Sequence, residues 1–275
     1  MPLPADFVFS QSSLQDYVDC PRRFQLRHLL RLPWPAVIAE PYLAQERRSQ
    51  AGESFHLLVQ RHLLGLPPES LRPAAEESDL SRWWAAYLAW APANLPRRHQ
   101  AELALCANLA GRRLLAKYDL LAWEPGRFVI VDWKTGRRRP SDGELRPRLQ
   151  TVVYRWLLVQ AAAQFNDGSA PQPEQVEMIY WFAEHPQDPA HFPYDSAQYQ
   201  ADGAYLQQLA CEIEQACAEV DAPLALSREQ RRCLFCPYRS LCERGASAGL
   251  DEDWEENEVT PAFDLDFEQV AEIAL

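Results

Sequence analysis

The sequence predicts an α/β layer fold, a mixed sheet covered by helices, with its central elements in the order αβββαβ. Three observations carry this. The apolar period changes from helical to alternating between residues 101 and 133, and returns to helical after residue 147. The turn dipeptides Ala110-Gly111 and Pro125-Gly126 cut the alternating region into three strands. A length of 275 residues with 47% apolar and 24% charged side chains suits one large domain with a core, and excludes a wholly disordered, collagen-like or coiled-coil chain.

From Ser10 to Leu30 the residues Leu14, Tyr17, Val18, Phe24 and Leu29 recur at roughly helical spacing behind a Ser-rich cap, with Pro21 as a kink or break. Residues 49–64 read as a second helical stretch and 80–90, LSRWWAAYLAW, as a third between Pro-rich loops. ELALCANL, RRLLAKYDLLAWE and RFVIVDW are the three strands. Beyond GRRRPSDGELRP come a helix over 147–164, a strand VEMIYWF at 176–182 and a long helix near 196–220. The body is expected to span 1–245 and to be followed by a flexible acidic tail, 246–275.

The net charge of −12 is concentrated in that tail, where residues 251–275 hold ten acids and no Lys or Arg, leaving 1–250 at −2. The body can therefore carry basic surfaces such as Arg137, Arg138 and Arg139. Only Lys117 and Lys134 are lysines among 27 basic residues, and both lie close to an aspartate. No apolar run is long enough to span a membrane. The opening MPLPADFVFSQSS lacks a basic region followed by an apolar stretch, so no secretory signal is expected. Seven cysteines, an odd number, fit a reducing cytoplasm where clustered thiols bind metal rather than pair.

With Pro125-Gly126 at a hairpin tip, paired residues have numbers summing to 251, as Asp119 and Asp132 do. Directly opposed side chains lie ~4.5–5.5 Å apart at Cβ, where two carboxylates repel unless a cation sits between them. Asp132 and Lys134 project to one face and Trp133 to the other. Two carboxylates and an ammonium suit metal-assisted phosphodiester hydrolysis: the acids hold Mg²⁺ or Mn²⁺, the metal polarises the phosphoryl group and generates hydroxide, and Lys134 orients the water or neutralises charge. The tripeptide alone reads more readily as a surface ion pair at a sheet edge, since such tripeptides are common. The apolar run FVIV before Asp132 and the rarity of lysine favour the chemical reading.

The run AKYDLLAWEPGRFVIVDWKTG resembles the PD-(D/E)XK nuclease superfamily, specifically its RecB-like exonuclease branch. Asp119 matches the first acid, Asp132 the second and Lys134 the lysine. Ala116 stands where the branch often has Gly, and no proline precedes Asp119. The resemblance also implies a histidine metal ligand upstream and a Gln-x-x-x-Tyr helix downstream. Gly52 to His56 matches the branch's Gly-x-x-x-His on one helical face, which His62 cannot share. Gln150 and Tyr154 share a face as a substrate shell, with Arg148 and Arg155 as possible phosphate contacts. The implied fold is the restriction-endonuclease-like mixed sheet flanked by helices.

Cys233, Cys236 and Cys242 form a C-x₂-C-x₅-C arrangement that needs a fourth ligand, for which Cys20 is the candidate. This split pattern resembles the [4Fe–4S] staple of the AddB nuclease domain and of CRISPR-associated RecB-like exonucleases, in which a cluster joins the terminal segments. Zinc is the chemical alternative. Cys106, Cys211 and Cys217 read as core or incidental residues. The expectation is a metal-dependent DNA exonuclease acting at single-stranded ends in repair, recombination or CRISPR adaptation, with a helicase or an adaptation protein as partner and no membrane. The rivals are an idle DNA-binding or scaffolding module and an RNA nuclease. No Walker A motif is present, so any motor is a separate chain.

Overall fold

The computed structural model describes residues 2–33, 41–71, 78–218, 222–234 and 236–245; the acidic tail lies outside them. The chain opens with a two-residue strand β1 (Phe9–Ser10) and helix α1 (Gln11–Asp19), whose start is closed by a reciprocal Ser10–Ser13 capping box. Cys20 takes extended backbone, and Pro21 begins the next helix, α2 (Pro21–Phe24), which widens into a π-helical turn to Leu29. The break predicted at Pro21 therefore falls one residue earlier, where proline fits the first helical position. Helix α3 (Pro41–Leu63) starts earlier than its apolar pattern, and α4 (Ser78–Asn94) follows.

Strands β2 (Arg98–Leu109), β3 (Arg112–Glu124) and β4 (Arg127–Lys134) form the expected antiparallel group. A short helix α5 (Asp142–Leu145) precedes α6 (Leu149–Ala161), then come β5 (Val176–Phe182), β6 (Ala190–Pro193) and α7 (Ser196–Ala218). β1, α5 and β6 escape sequence reading because two to four residues are too few to establish a period.

The six strands run β1-β3-β4-β5-β6, with β2 on the other edge of β3. β1 is parallel to β3 and β5 parallel to β4, while β2–β3, β3–β4 and β5–β6 are antiparallel, so the sheet is mixed. β4 and β5 are near-continuous apolar runs because both their faces are covered. On one face α1, α6 and α7 pack Leu14, Val153, Leu157, Leu206 and Ile213 against Phe128, Ile130, Met178 and Tyr180. On the other, α3 and α4 pack Phe55, Val59, Trp83 and Tyr87 against Val131, Trp133, Ile179 and Trp181.

One edge of β3 is shared. β1 pairs with Leu114 and Leu115, and β4 pairs with residues 120–124, leaving 116–119 on that edge without a strand partner. Tyr154 of α6 fills the break: its hydroxyl donates to the Lys117 carbonyl at 2.8 Å, and the Tyr118 hydroxyl donates to the Tyr154 carbonyl at 2.9 Å. Asp119 lies at the end of this opening.

Candidate active site

The β3–β4 hairpin has the predicted register, from Glu124↔Arg127 to Leu120↔Val131, with Gly126 at φ 80 accommodating the tip. The next pair in sequence is Asp119 and Asp132, where the ladder stops. Asp119 replaces a backbone acceptor with its own side chain, its Oδ2 accepting the Trp133 N–H at 2.9 Å. The strands part at the two acids, and the carboxylates remain near enough for Asp132 to raise the pKa of Asp119.

Asp132 is only 3% exposed. Its Oδ1 accepts from Gln150 Nε2 at 2.6 Å, and Lys134 Nζ stands 2.9 Å from its Oδ2. The lysine contact is an ion pair without hydrogen-bond geometry, so the buried Oδ2 lacks a directed donor. The Gln150 amide uses both ends, its Oε1 accepting from Lys134 Nζ at 3.1 Å. That ammonium also lies 5.7 Å over the Tyr180 ring. On the opposite side, His56 Nδ1 is 3.5 Å from Asp119 Oδ2. Burial pushes the Asp119 carboxyl up to about 6, opposed by His56 and reinforced by Asp132, with the Trp133 N–H and Lys134 favouring ionisation.

His56 reaches this position because α3 crosses the end of β4 closely. A Cβ on Gly52 would stand 2.7 Å from Thr135 Oγ1, so only glycine permits the crossing without displacement. One turn earlier, Arg48 donates to the Thr135 carbonyl at 2.8 Å and to Glu184 at 2.9 Å. Arg48, Gly52 and His56 are successive i, i+4 positions on one face. Arg48 was missed by sequence reading, although this spacing could have found it.

The structure thus brings together Asp119, Asp132, Lys134, His56 and Gln150. Tyr154 lies beside them, its hydroxyl on Lys117 rather than on a carboxylate, and burial followed by the charges of Asp132 and Asp119 raises its pKa. Arg155 corrects the expectation of a phosphate contact. It is 2% exposed, donates to Thr151, Pro193 and Gln198, and stacks 4.5 Å over Tyr194, fastening α6 to β6 and α7. His62 bonds the Tyr87 hydroxyl at 2.9 Å, away from the acids.

Cys20, between α1 and α2, lies near Cys233, Cys236 and Cys242. Burial raises all three of the latter thiols, Cys236 to about 11, and Cys20 raises each further. Around them Arg23 pairs with Asp16 and Asp19, Asp19 also pairs with Arg232, and the Tyr238 hydroxyl donates to the Leu32 carbonyl at 2.9 Å. Among the described residues no three His, Cys, Asp or Glu side chains are grouped tightly enough to hold a metal ion as they stand.

Comparison with known proteins settles the family. Residues 8–243 match the model of the PD-(D/E)XK nuclease superfamily. The chain belongs to this superfamily. As a PD-(D/E)XK protein it is a metal-dependent nuclease, with a nucleic acid as its substrate. The crystal structure of a candidate exonuclease from Eubacterium rectale shares the fold, with a TM-score of 0.51 at 11% identity, covering 82% of this chain and 90% of that one. The crystal structure of SSO0001 aligns at 12% identity and a TM-score of 0.40, covering 90% of both chains. No curated protein matched in sequence.

PD-(D/E)XK nucleases generally use Mg²⁺ or Mn²⁺. The residues present fit such an ion: two hard carboxylates close enough to repel, one buried oxygen without a directed donor, and an imidazole beside the first acid. Asp119, Asp132 and His56 would hold it. When bound, the cation supplies Lewis acidity to the phosphodiester and lowers the cost of deprotonating water. Lys134, fixed between Asp132 and Gln150, would keep an ammonium beside the ion and the phosphoryl group it polarises.

Proposed function

We propose that this PD-(D/E)XK protein is a RecB-like DNA exonuclease that hydrolyses phosphodiester bonds at single-stranded ends. The observation that carries the reading is the meeting of Asp119 and Asp132 at the end of an antiparallel ladder, with Lys134 and Gln150 locked to the second acid. Asp119, Asp132 and His56 are the metal ligands, Lys134 assists the attacking water, and Gln150 and Tyr154 shape the substrate side. The fold likeness to the Eubacterium rectale structure supports the exonuclease choice. Residues 1–245 form the nuclease domain.

Cys20, Cys233, Cys236 and Cys242 are the ligands of a [4Fe–4S] centre, with zinc as the alternative. The support is an all-thiol donor set drawn from both ends of the body, each of the last three thiols responding to Cys20. A helicase or a CRISPR adaptation protein is the corresponding class of partner, in the cytoplasm; among the described residues no helix is long and apolar enough to cross a membrane.

The test is incubation with end-labelled single- and double-stranded DNA and RNA, with Mn²⁺ and with chelator. The expected result is Mn²⁺-dependent release of short products from single-stranded DNA. Cleavage confined to RNA overturns the substrate assignment, and binding without cleavage of any substrate overturns the enzymatic one.

A further inference from the structure

Lys117 is one of only two lysines in the chain, and the site built around Asp132 and Lys134 does not use it. It precedes Asp119 by two residues on β3, about 6.6 Å along the strand. Ala116 and Tyr118 on either side turn into the core beneath α6, so the Lys117 side chain leaves the opposite face of the sheet, the one from which His56 approaches Asp119. Its backbone lies in the stretch paired with neither β1 nor β4 and is anchored there by the Tyr154 hydroxyl.

The ammonium pairs with Glu102 of β2, with 31% of the lysine side chain and 22% of the glutamate side chain exposed. Glu102 stands opposite Asp119, at the one position skipped between Ala101↔Leu120 and Leu103↔Tyr118. Its φ is 55, the left-handed region a glutamate rarely enters. Such backbone costs more than a partly exposed ion pair returns, so stabilisation by the pair does not account for the arrangement.

We propose that Lys117 binds the phosphate adjoining the scissile one, with Glu102 holding the ammonium until that phosphate takes its place. The inference rests on the nuclease reading above, which puts the scissile phosphate at Asp119 and Asp132. On the His56 side of the acids, across the sheet from Lys134 and Gln150, a nucleic-acid strand running along β3 advances by about one phosphate over two strand residues, so its next anionic group meets Lys117. The phosphodiester oxygen exchanges for the Glu102 carboxylate, and the ammonium keeps an anionic partner in both states. An arginine, the basic residue this chain uses 25 times, would grip the carboxylate through two parallel N–H donors and exchange less readily.

The test measures binding of a fluorescently labelled single-stranded oligonucleotide by anisotropy across a salt series, with Ca²⁺ in place of the activating metal. Lys117→Gln is expected to weaken binding about tenfold at 0.1 M salt. It should also reduce the slope of log K against log salt by about 0.7, the value for one contact to a single strand. Lys117→Arg should restore the slope. Glu102→Gln, which releases the ammonium, should tighten binding about threefold.

A gain from Glu102→Gln that disappears when Lys117→Gln is also present is the signature of exchange; a gain that persists there is simple relief of repulsion and overturns the proposal. If both substitutions lower the melting temperature alike and leave the slope unchanged, the pair is structural and the proposal is overturned. Should Lys117→Gln fail to fold, unchanged or weaker binding by Glu102→Gln overturns it by itself. Cleavage of the same oligonucleotide by the unmodified protein with Mn²⁺ is followed in parallel; its absence removes the nuclease reading, while the salt slopes judge Lys117 separately.

Discussion

The carboxylate site and the cysteine group each gather side chains of one kind, and they do so by different means. At the first, sheet register brings Asp119 and Asp132 together from strands joined by a two-residue turn, and short hydrogen bonds from Trp133 and Gln150 fix the carboxylates. At the second, Cys20 meets residues more than two hundred positions later through Asp19–Arg232, the Arg22 N–H to Ala225 carbonyl bond and the Tyr238–Leu32 bond. A site made by register tolerates loss of a side chain without loss of fold. A site made by side chains from distant segments is itself part of what holds those segments.

The sharpest break of this comparison is Asp132→Asn. Cleavage should fall roughly 10³-fold or more while the far-ultraviolet spectrum stays unchanged, since the variant removes one of two mutually repelling charges. Full activity would remove Asp132 from the site. Gln150→Ala comes next. It loosens both Asp132 and Lys134, and cleavage is expected to drop about 10–100-fold with a weaker response to Mn²⁺, as for other groups that orient a metal ligand. A variant indistinguishable from the parent would make Gln150 a bystander.

Cys20→Ser should act in the opposite sense. Purified without oxygen, the parent should contain iron and sulfide, and the variant should lose both and melt several degrees lower. Cleavage should stay within about tenfold of the parent, because the polar clasp around Asp19 and Tyr238 persists. Loss of colour in Cys106→Ser but not in Cys20→Ser would redraw the ligand set, and stoichiometric zinc without sulfide would select the zinc alternative.

The smallest effect concerns stability. In metal-free protein the Asp119 carboxyl is pushed up to about 6 by burial, opposed by His56 and reinforced by Asp132. An unfolded aspartate titrates near ~3.9. The contribution of this group to stability is therefore full below pH ~4 and lost as pH rises through about 6. Asp119→Asn should gain about 2–3 kcal/mol over the parent at pH 8 and nothing at pH 4, read by urea unfolding with chelator present. A constant difference across that range would place the carboxyl in a different environment.

Much of the carboxylate site is legible in the sequence because a two-residue turn and period-2 alternation determine which residues oppose one another. Asp119, Asp132 and Lys134 follow from that rule, whereas His56 and Gln150 come from the resemblance to the RecB-like branch, with helical spacing showing only which neighbours share their faces. The parting of the ladder at the acids does not follow, since it depends on Asp119 accepting the Trp133 N–H. Neither does the left-handed backbone of Glu102, which no residue type announces. Arg155 shows the converse limit: its spacing on α6 placed it near the substrate side, but Tyr194, Gln198 and Asp202 surround it from elements far along the chain. The arginine and aspartate lattice about Cys20 does not follow from the sequence either, because Asp16 meets Arg23 and Arg27 only when the helices close on one another.

The break in β3 between its β1-paired and β4-paired segments also bears on the order in which the protein is made. During synthesis, the hairpin carrying Asp119 and Asp132 can close as soon as Lys134 has emerged, because its contacts are local. β1 emerges at the start but has no strand to join until Leu114 and Leu115 follow, more than a hundred residues later. The bonds from Asp19 and Arg22 wait longer still, for Arg232 and Ala225. The chain can therefore form its pair of repelling acids early, with β1 already able to pair with Leu114 and Leu115, and fasten its two ends late, leaving a growing nuclease with its hairpin shaped and the bonds of Asp19 and Arg22 still to be made.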